Sequence, residues 1–366
     1  MTTAPPSPRA PTGRHRRTPD HRRVRAMAGR LGWGLSDQAV SSLTNFAVGI
    51  YVARTLGLAG FGIFSLAWVT YGVLLNISRG LATDPLVVRF SGVGRHAWRA
   101  ASARAAGTAL QVGIVSGAVC ALAGSLIGGG VGAGFVALGV ILPALLLQDS
   151  WRYAFFAAGH GRSAFVNDVV WAVALLPAML LAAQDGSVSA FLFAWGGSAA
   201  VAAAYGSVQA GLLPHWTGVG SWLRQHRDLG ARYLVENVSI SGATQVRAYG
   251  LGAIAGLADV GAVRGAELLL GPFLAVLMGV GLFAVPEAAR VLRDHPGRLR
   301  QFCAALGGVQ AVGVALWGVV LLTVVSDGIG QYVLGPVWSS ASVLIVPATL
   351  GVLHASIANG ATAGLR

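Results

Sequence analysis

The chain has 366 residues, 55% of them apolar and only 11% charged, with a mean hydropathy of +0.66. A soluble domain covers its surface with about 25% charged residues, so this composition belongs to an integral membrane protein and excludes soluble enzymes and soluble nucleic-acid-binding proteins. The net charge of +13 comes from 26 basic residues, all arginine, against 13 acids, and its placement along the chain is what carries information.

Residues 1–30 hold eight arginines, several prolines and no apolar run, the composition of a disordered basic tail. After it, apolar segments of about 20 residues, the length a hydrocarbon core of roughly 30 Å demands, fall at 31–54, 62–84, 106–128, 134–158, 164–183, 190–213, 233–255, 261–285, 303–325 and 341–363. They predict an all-α integral membrane fold of about ten transmembrane helices. Six form an N-terminal set over 31–213, a cytoplasmic linker follows over 214–232, and four form a C-terminal set over 233–366. With the tail inside, the inward loops hold Arg89, Arg95, Arg99, Arg104, Arg162, Arg224, Arg227, Arg232, Arg290, Arg293, Arg298 and Arg300, while the outward loops hold Arg54 alone. That asymmetry predicts a multi-pass protein of the cytoplasmic membrane with its N-terminus in the cytoplasm. It assigns the basic charge to topology and anionic membrane lipid, with no nucleic-acid partner.

Sliding the sequence on itself by 199 residues aligns Leu35 with Leu234, Ser42 with Ser241, Gly57-Leu58-Ala59 with Gly256-Leu257-Ala258, Gly62 with Gly261, Ala67 with Ala266 and Gly72 with Gly271. Asp37-Gln38 meets Glu236-Asn237, and at an offset two residues longer Pro85 and Arg89 meet Pro286 and Arg290. The first and seventh spans both start inside, so the repeat predicts two lobes related by an axis along the membrane normal, with the second lobe two or more helices short of the first.

Polar stripes mark the faces expected to line a cavity. Asp37, Gln38, Ser41, Ser42 and Asn45 share one face of the first span, and Glu236, Asn237, Ser241, Thr244, Gln245 and Arg247 one face of the seventh. Asn76, Arg79 and Thr83 lie on one side of the second span, and Arg264 and Glu267 on one side of the eighth. Charges inside spans are costly and mark function unless paired. Arg247 sits about 14 residues into its helix, roughly 21 Å deep, where it meets a substrate phosphate or pairs with Glu267. Arg79 lies on the inner path of an entering anion, or pairs with Asp84 or Asp149. Arg264 and Glu267, and likewise Asp149 and Arg152, have the i, i+3 spacing of local ion pairs. Asp37 is the candidate for ion coupling, or a helix-start acid.

Cys120 and Cys303 lie in apolar segments and predict no disulfide, and His160 and His354 have no ligand spacing, so neither metal nor cofactor is expected. Trp33, Trp68, Trp151, Trp195, Trp222 and Trp338 lie near span ends and predict an interfacial belt.

Several runs resemble a known family. Gln38 to Arg54, Gly57-Leu58-Ala59-Gly60-Phe61-Gly62, Ser78-Arg79-Gly80-Leu81 to Asp84-Pro85-Leu86, Leu147 to Phe156, Arg264 to Pro272, and Leu334-Gly335-Pro336-Val337-Trp338 are similar, in order, to bacterial polysaccharide exporters and O-antigen flippases of the multidrug/oligosaccharidyl-lipid/polysaccharide superfamily. The resemblance implies lobes that open alternately to the two membrane faces. It implies an undecaprenyl-diphosphate-type lipid-linked glycan as cargo, with Arg79, Arg247, Asn76, Asn45, Gln38, Gln245 and Arg264 facing it, and glycan polymerisation or export proteins as partners. A drug or cation antiporter of the same superfamily would need acids where this chain has arginines. A membrane glycosyltransferase or ligase would need a large outer loop with paired acids, whereas the longest, about 326–340, holds only Asp327, so no enzyme activity is expected.

Overall fold

The computed structural model describes residues 21–363; the side chains at 21–35, 37–39, 238, 240, 241, 275–286, 289, 294, 296, 359, 362 and 363 lie outside the description. Helix α1 spans His21–Ser78, continues through a π-helical turn at Arg79–Thr83 and passes into α2 at Asp84–Phe90. There follow α3 (Arg95–Ile127), α4 (Gly129–Ala157), α5 (Gly161–Asp185) and α6 (Val188–Ala210). Then come α7 (Val219–Gln225), α8 (Arg227–Ile254), α9 (Leu257–Asp294), α10 (Leu299–Thr323), α11 (Asp327–Leu334), α12 (Trp338–Val343) and α13 (Ile345–Ala363). No strand occurs among the described residues. Because α1 begins at His21, residues 21–30 of the expected disordered tail are helical.

Six helices among the described residues are long and apolar enough to cross a membrane: the run Val40–Phe90, α3, α4, α5, α6 and α10. A seventh is added if Asp327–Val343 and Ile345–Ala358, bent by 76°, form one broken span. The run Val40–Phe90 is 51 residues long, about 76 Å at 1.5 Å per residue and more than twice the hydrocarbon thickness. It is broken at Gly57, whose φ of 65° and ψ of −174° interrupt the helix. Gly256, 199 residues on, repeats the break between α8 and α9 with φ 99° and ψ 174°. Only glycine adopts that combination without strain, so the aligned Gly-Leu-Ala triplets are the same turn made twice.

The two turns pack on each other. A Cβ on Gly62 would sit 1.9 Å from the Leu257 carbonyl oxygen, and one on Gly261 would sit 2.2 Å from that of Leu58. Leu58 and Leu257, like Gly62 and Gly261, are 199 apart, so the contact runs identically in both directions, as across a two-fold axis. Further from the turns, α9 packs along the first half of α1, and α8 along the second half and the π turn.

Within the first six helices the packing is also backbone on backbone. Gly117 and Gly139 face each other across α3 and α4, each with its missing Cβ 2.3–2.4 Å from the other's carbonyl oxygen, and Gly124 and Gly132 repeat the arrangement at 2.5 and 2.3 Å. Small residues of this kind let helices approach where lipid removes the hydrophobic drive for association. The tryptophans do not form the expected belt. Trp151, Trp195, Trp222 and Trp338 are buried, and Trp195 stacks on Trp68 at 4.8 Å with Tyr71 edge-on at 4.8 Å. Crossing helices of small residues leave gaps that indole rings fill. Trp33 lies outside the described side chains.

Gly117→Val or Gly139→Val should lower thermal stability in detergent by about 1–3 kcal/mol or more, the cost of overpacking. Gly197→Ala, on α6 with nothing within 4 Å of the added atom, should leave it unchanged or raise it by about 0.4–1 kcal/mol. Equal effects from both kinds of substitution would show that the α3–α4 contact is looser than described.

Candidate functional site

Where the second half of α1 ends, Pro85 supplies no N–H to the carbonyl of Leu81, four residues back, and the helix widens into the π turn. The Asp84 N–H reaches the Arg79 carbonyl, five residues back, and the freed Leu81 carbonyl accepts the Trp222 indole N–H at 3.1 Å. The widened turn carries Arg79.

Arg79 binds Asp149 on α4 through both arms of its guanidinium, Nε to Oδ2 at 3.0 Å and Nη2 to Oδ1 at 2.7 Å, and lies over the Tyr153 ring at 4.9 Å. Arg152 pairs with Asp168 on α5 at 3.4 Å. The Gln148 amide donates to Asn167 Oδ1 and Asp168 Oδ1 at 3.2 and 3.0 Å, and the Asn167 amide donates to the Ala202 carbonyl on α6. These charges are withdrawn from solvent, with the four side chains exposed by 24, 7, 12 and 2% in the order Arg79, Asp149, Arg152, Asp168. Two arginines facing two aspartates make a neutral network joining α1, α4, α5 and α6. Of the pairings the sequence offers, Arg79 with Asp149 forms and the i, i+3 tie between Asp149 and Arg152 does not; each reaches a different helix, because buried charges take the partner giving full coordination over the nearest in sequence. Asp168, Asn167 and Gln148 went unassigned in the sequence, although two adjacent polar residues inside the apolar 164–183 segment were a visible signal.

A second polar set lies between α1 and α8–α9. The Asn237 amide donates to Asp84 Oδ2 at 3.1 Å and to the Asn76 carbonyl at 3.3 Å, and Gly80 leaves room for α8, since a Cβ there would lie 3.0 Å from the Leu234 nitrogen. Thr70 meets the Tyr249 hydroxyl at 2.6 Å and accepts from the Gln245 amide at 3.4 Å. Arg247 pairs with Glu267, which Arg264 approaches from the other side at 3.3 Å. Asn45, Ser65, Trp68 and Arg264 line a cleft of about 10 Å³, the room of one water molecule. The Asn45 side-chain oxygen, buried beside it, has no partner among the described residues. Arg79 thus faces α4 while Arg247 faces α9, and the two share no partner. The side chains of Asp37 and Gln38 lie outside the described residues.

Arg89 on α2 reaches the linker, donating to the Gln225 carbonyl at 2.9 Å and to Asp228 at 2.6 Å. Burial pushes the Asp228 carboxyl up, but the backbone N–H groups of Leu229 and Asp228 together with Arg89 outweigh it and hold the group below the usual carboxylate range. The tie is complete at neutral pH and is lost as pH falls through that lowered value. No group of three or more metal-ligating side chains occurs among the described residues. A scan against family models and searches of curated proteins and of solved structures find nothing that matches this chain.

Arg79→Ala or Asp149→Ala should each destabilise the protein by about 3–5 kcal/mol, because each leaves the other charge buried and alone. The double substitution Arg79→Met with Asp149→Leu should recover most of that loss in thermal unfolding. Single variants as stable as the parent would show that the pair is hydrated in the membrane.

Proposed function

We propose that the chain is a transporter that moves a lipid-linked oligosaccharide or polysaccharide precursor, its carrier bearing a diphosphate of the undecaprenyl-diphosphate kind, across the cytoplasmic membrane without covalent chemistry. In this reading α8 and α9 cross the membrane beside the more apolar helices, giving ten spans in two parallel-repeat lobes of six and four, with the N-terminus cytoplasmic. The reciprocal crossing at Gly62 and Gly261 carries the reading: residues 199 apart make one contact in both directions, which supports two related halves, the arrangement alternating access requires.

The α8 helix adds support. Glu236, Thr244 and Arg247 are exposed on it, and Arg247 and Arg264 share the single carboxylate of Glu267, a surplus of positive charge suited to a diphosphate. That surplus is also what separates this reading from a cation antiporter, since Arg79 and Arg152 are neutralised by Asp149 and Asp168. In the loop where a ligase would keep its acids, Asp327 accepts the Trp338 indole N–H at 3.0 Å, and no partner acid lies beside it in the sequence.

Position 226 is buried, so orientation is best read at its exposed neighbour. In a cysteine-free background, Arg227→Cys should resist an impermeant thiol reagent outside intact cells and react after permeabilisation. Rapid labelling from outside would overturn the orientation. In cells that rely on this protein for surface polysaccharide, Arg247→Ala should reduce surface glycan at least tenfold at normal protein abundance, and Arg247→Lys should restore part of it, keeping the charge but not the planar grip. Normal export by Arg247→Ala would remove Arg247 from the cargo path. Loss of the protein itself, repaired by Glu267→Ala, would make the pair structural. Efflux of lipophilic cations that depends on Glu267, with surface glycan unaffected, would favour the antiporter.

A further inference from the structure

We propose that the recess where α3, α4, α5 and α6 converge is a binding site for an anionic phosphate group, the chemistry shared by an anionic glycerophospholipid headgroup and a soluble glycerol or sugar phosphate. The proposal is independent of what the protein transports, and the recess contains no member of the Arg79–Asp149 network. Its volume of about 460 Å³ is in the range that holds small polar ligands. Two helices begin there, at Arg95 and Gly161, and two end there, at Ala157 and Ala210.

Donors dominate the lining. Arg95, Arg99, His160, Ser163 and Gln209 face the recess and no acid does. Arg99 is fixed at its edge by two carbonyls, donating to Ala210 at 3.3 Å and Gly211 at 2.7 Å. Arg95 is exposed and has no ion-pair partner among the described residues. Neither α3 nor α5 has a side-chain cap at its start, so the uncapped positive ends of helices of 33 and 25 residues border the same space.

Gln209 closes one wall of the recess: its amide nitrogen donates to the Ser163 carbonyl at 3.1 Å, which ties α6 to the start of α5. Beside the recess, Val208 and Leu213 are exposed by 79 and 78%, an apolar surface on which an acyl chain of a headgroup bound in the recess would lie.

The test uses the full chain purified in neutral detergent, with short-chain phosphatidylglycerol, phosphatidylcholine of the same chains, and glycerol 3-phosphate as probes. Phosphatidylglycerol should bind and raise the melting temperature. Arg95→Gln should weaken that binding about tenfold, the worth of a charge-assisted hydrogen-bonded contact, without changing the melting temperature of the lipid-free protein. Arg293→Gln, outside the recess, should change nothing. Phosphatidylglycerol binding with no response to glycerol 3-phosphate identifies a lipid headgroup; glycerol 3-phosphate binding with the same dependence on Arg95 identifies a soluble phosphate. Binding that survives Arg95→Gln, falls equally with Arg293→Gln, or is matched by phosphatidylcholine overturns the proposal.

Discussion

A charge in hydrocarbon has no water to fall back on, and the pairing of Arg79 with Asp149 is where this chain meets that constraint. The geometry around it follows. The proline at 85 opens the helix into a π turn, the turn carries Arg79 against α4, and the carbonyl that the proline leaves free is taken by Trp222 from the linker. One missing backbone N–H thus couples a buried ion pair to the segment joining the two halves of the chain. One turn further along α4, Arg152 and Asp168 extend the network to α5, and Asn167 extends it to α6. Four helices that lipid alone would not hold together share one set of charges.

Between the halves the physics differs. In the first half Arg79 and Arg152 each have an aspartate of their own, whereas Arg247 and Arg264 divide one carboxylate between them. Asn237 bridges Asp84 and the Asn76 carbonyl, and Thr70 and Tyr249 add a neutral hydroxyl contact. These are bonds of modest strength, about 0.5–1.5 kcal/mol each, well below the cost of breaking the Arg79–Asp149 pair. The molecule therefore combines a strongly tied first half with a weaker seam against α8 and α9.

What the sequence made legible follows from which forces are local. Apolar length located α3 to α6 and α10, and self-alignment located Gly57 and Gly256, because a left-handed turn demands glycine whatever surrounds it. The local pair of Arg264 with Glu267 was also readable, since i, i+3 neighbours meet on any helix. Asp149 was readable only as one of two partners for Arg79, whose pair with it spans 70 residues, and its i, i+3 spacing from Arg152 pointed to a local tie in place of the cross-helix one. The tryptophans misled for a related reason: proximity to a span end suggests an interface, but small residues on crossing helices drew Trp151 and Trp195 into the interior. Asp168 was missed although its type and position were visible, because its role depends on Arg152 and Gln148 of another helix.

The contact at Gly62 and Gly261 is peptide against peptide, with each missing side chain replaced by the other turn's carbonyl. Interlocked side chains resist turning because each must be lifted out of its socket. Two smooth backbones have nothing to lift. Pulling them apart gives up close contact over the crossing, whereas rolling one over the other gives up little. The crossing has the mechanics of a pin joint, stiff to separation and compliant to rotation, and any larger side chain at either glycine would jam it.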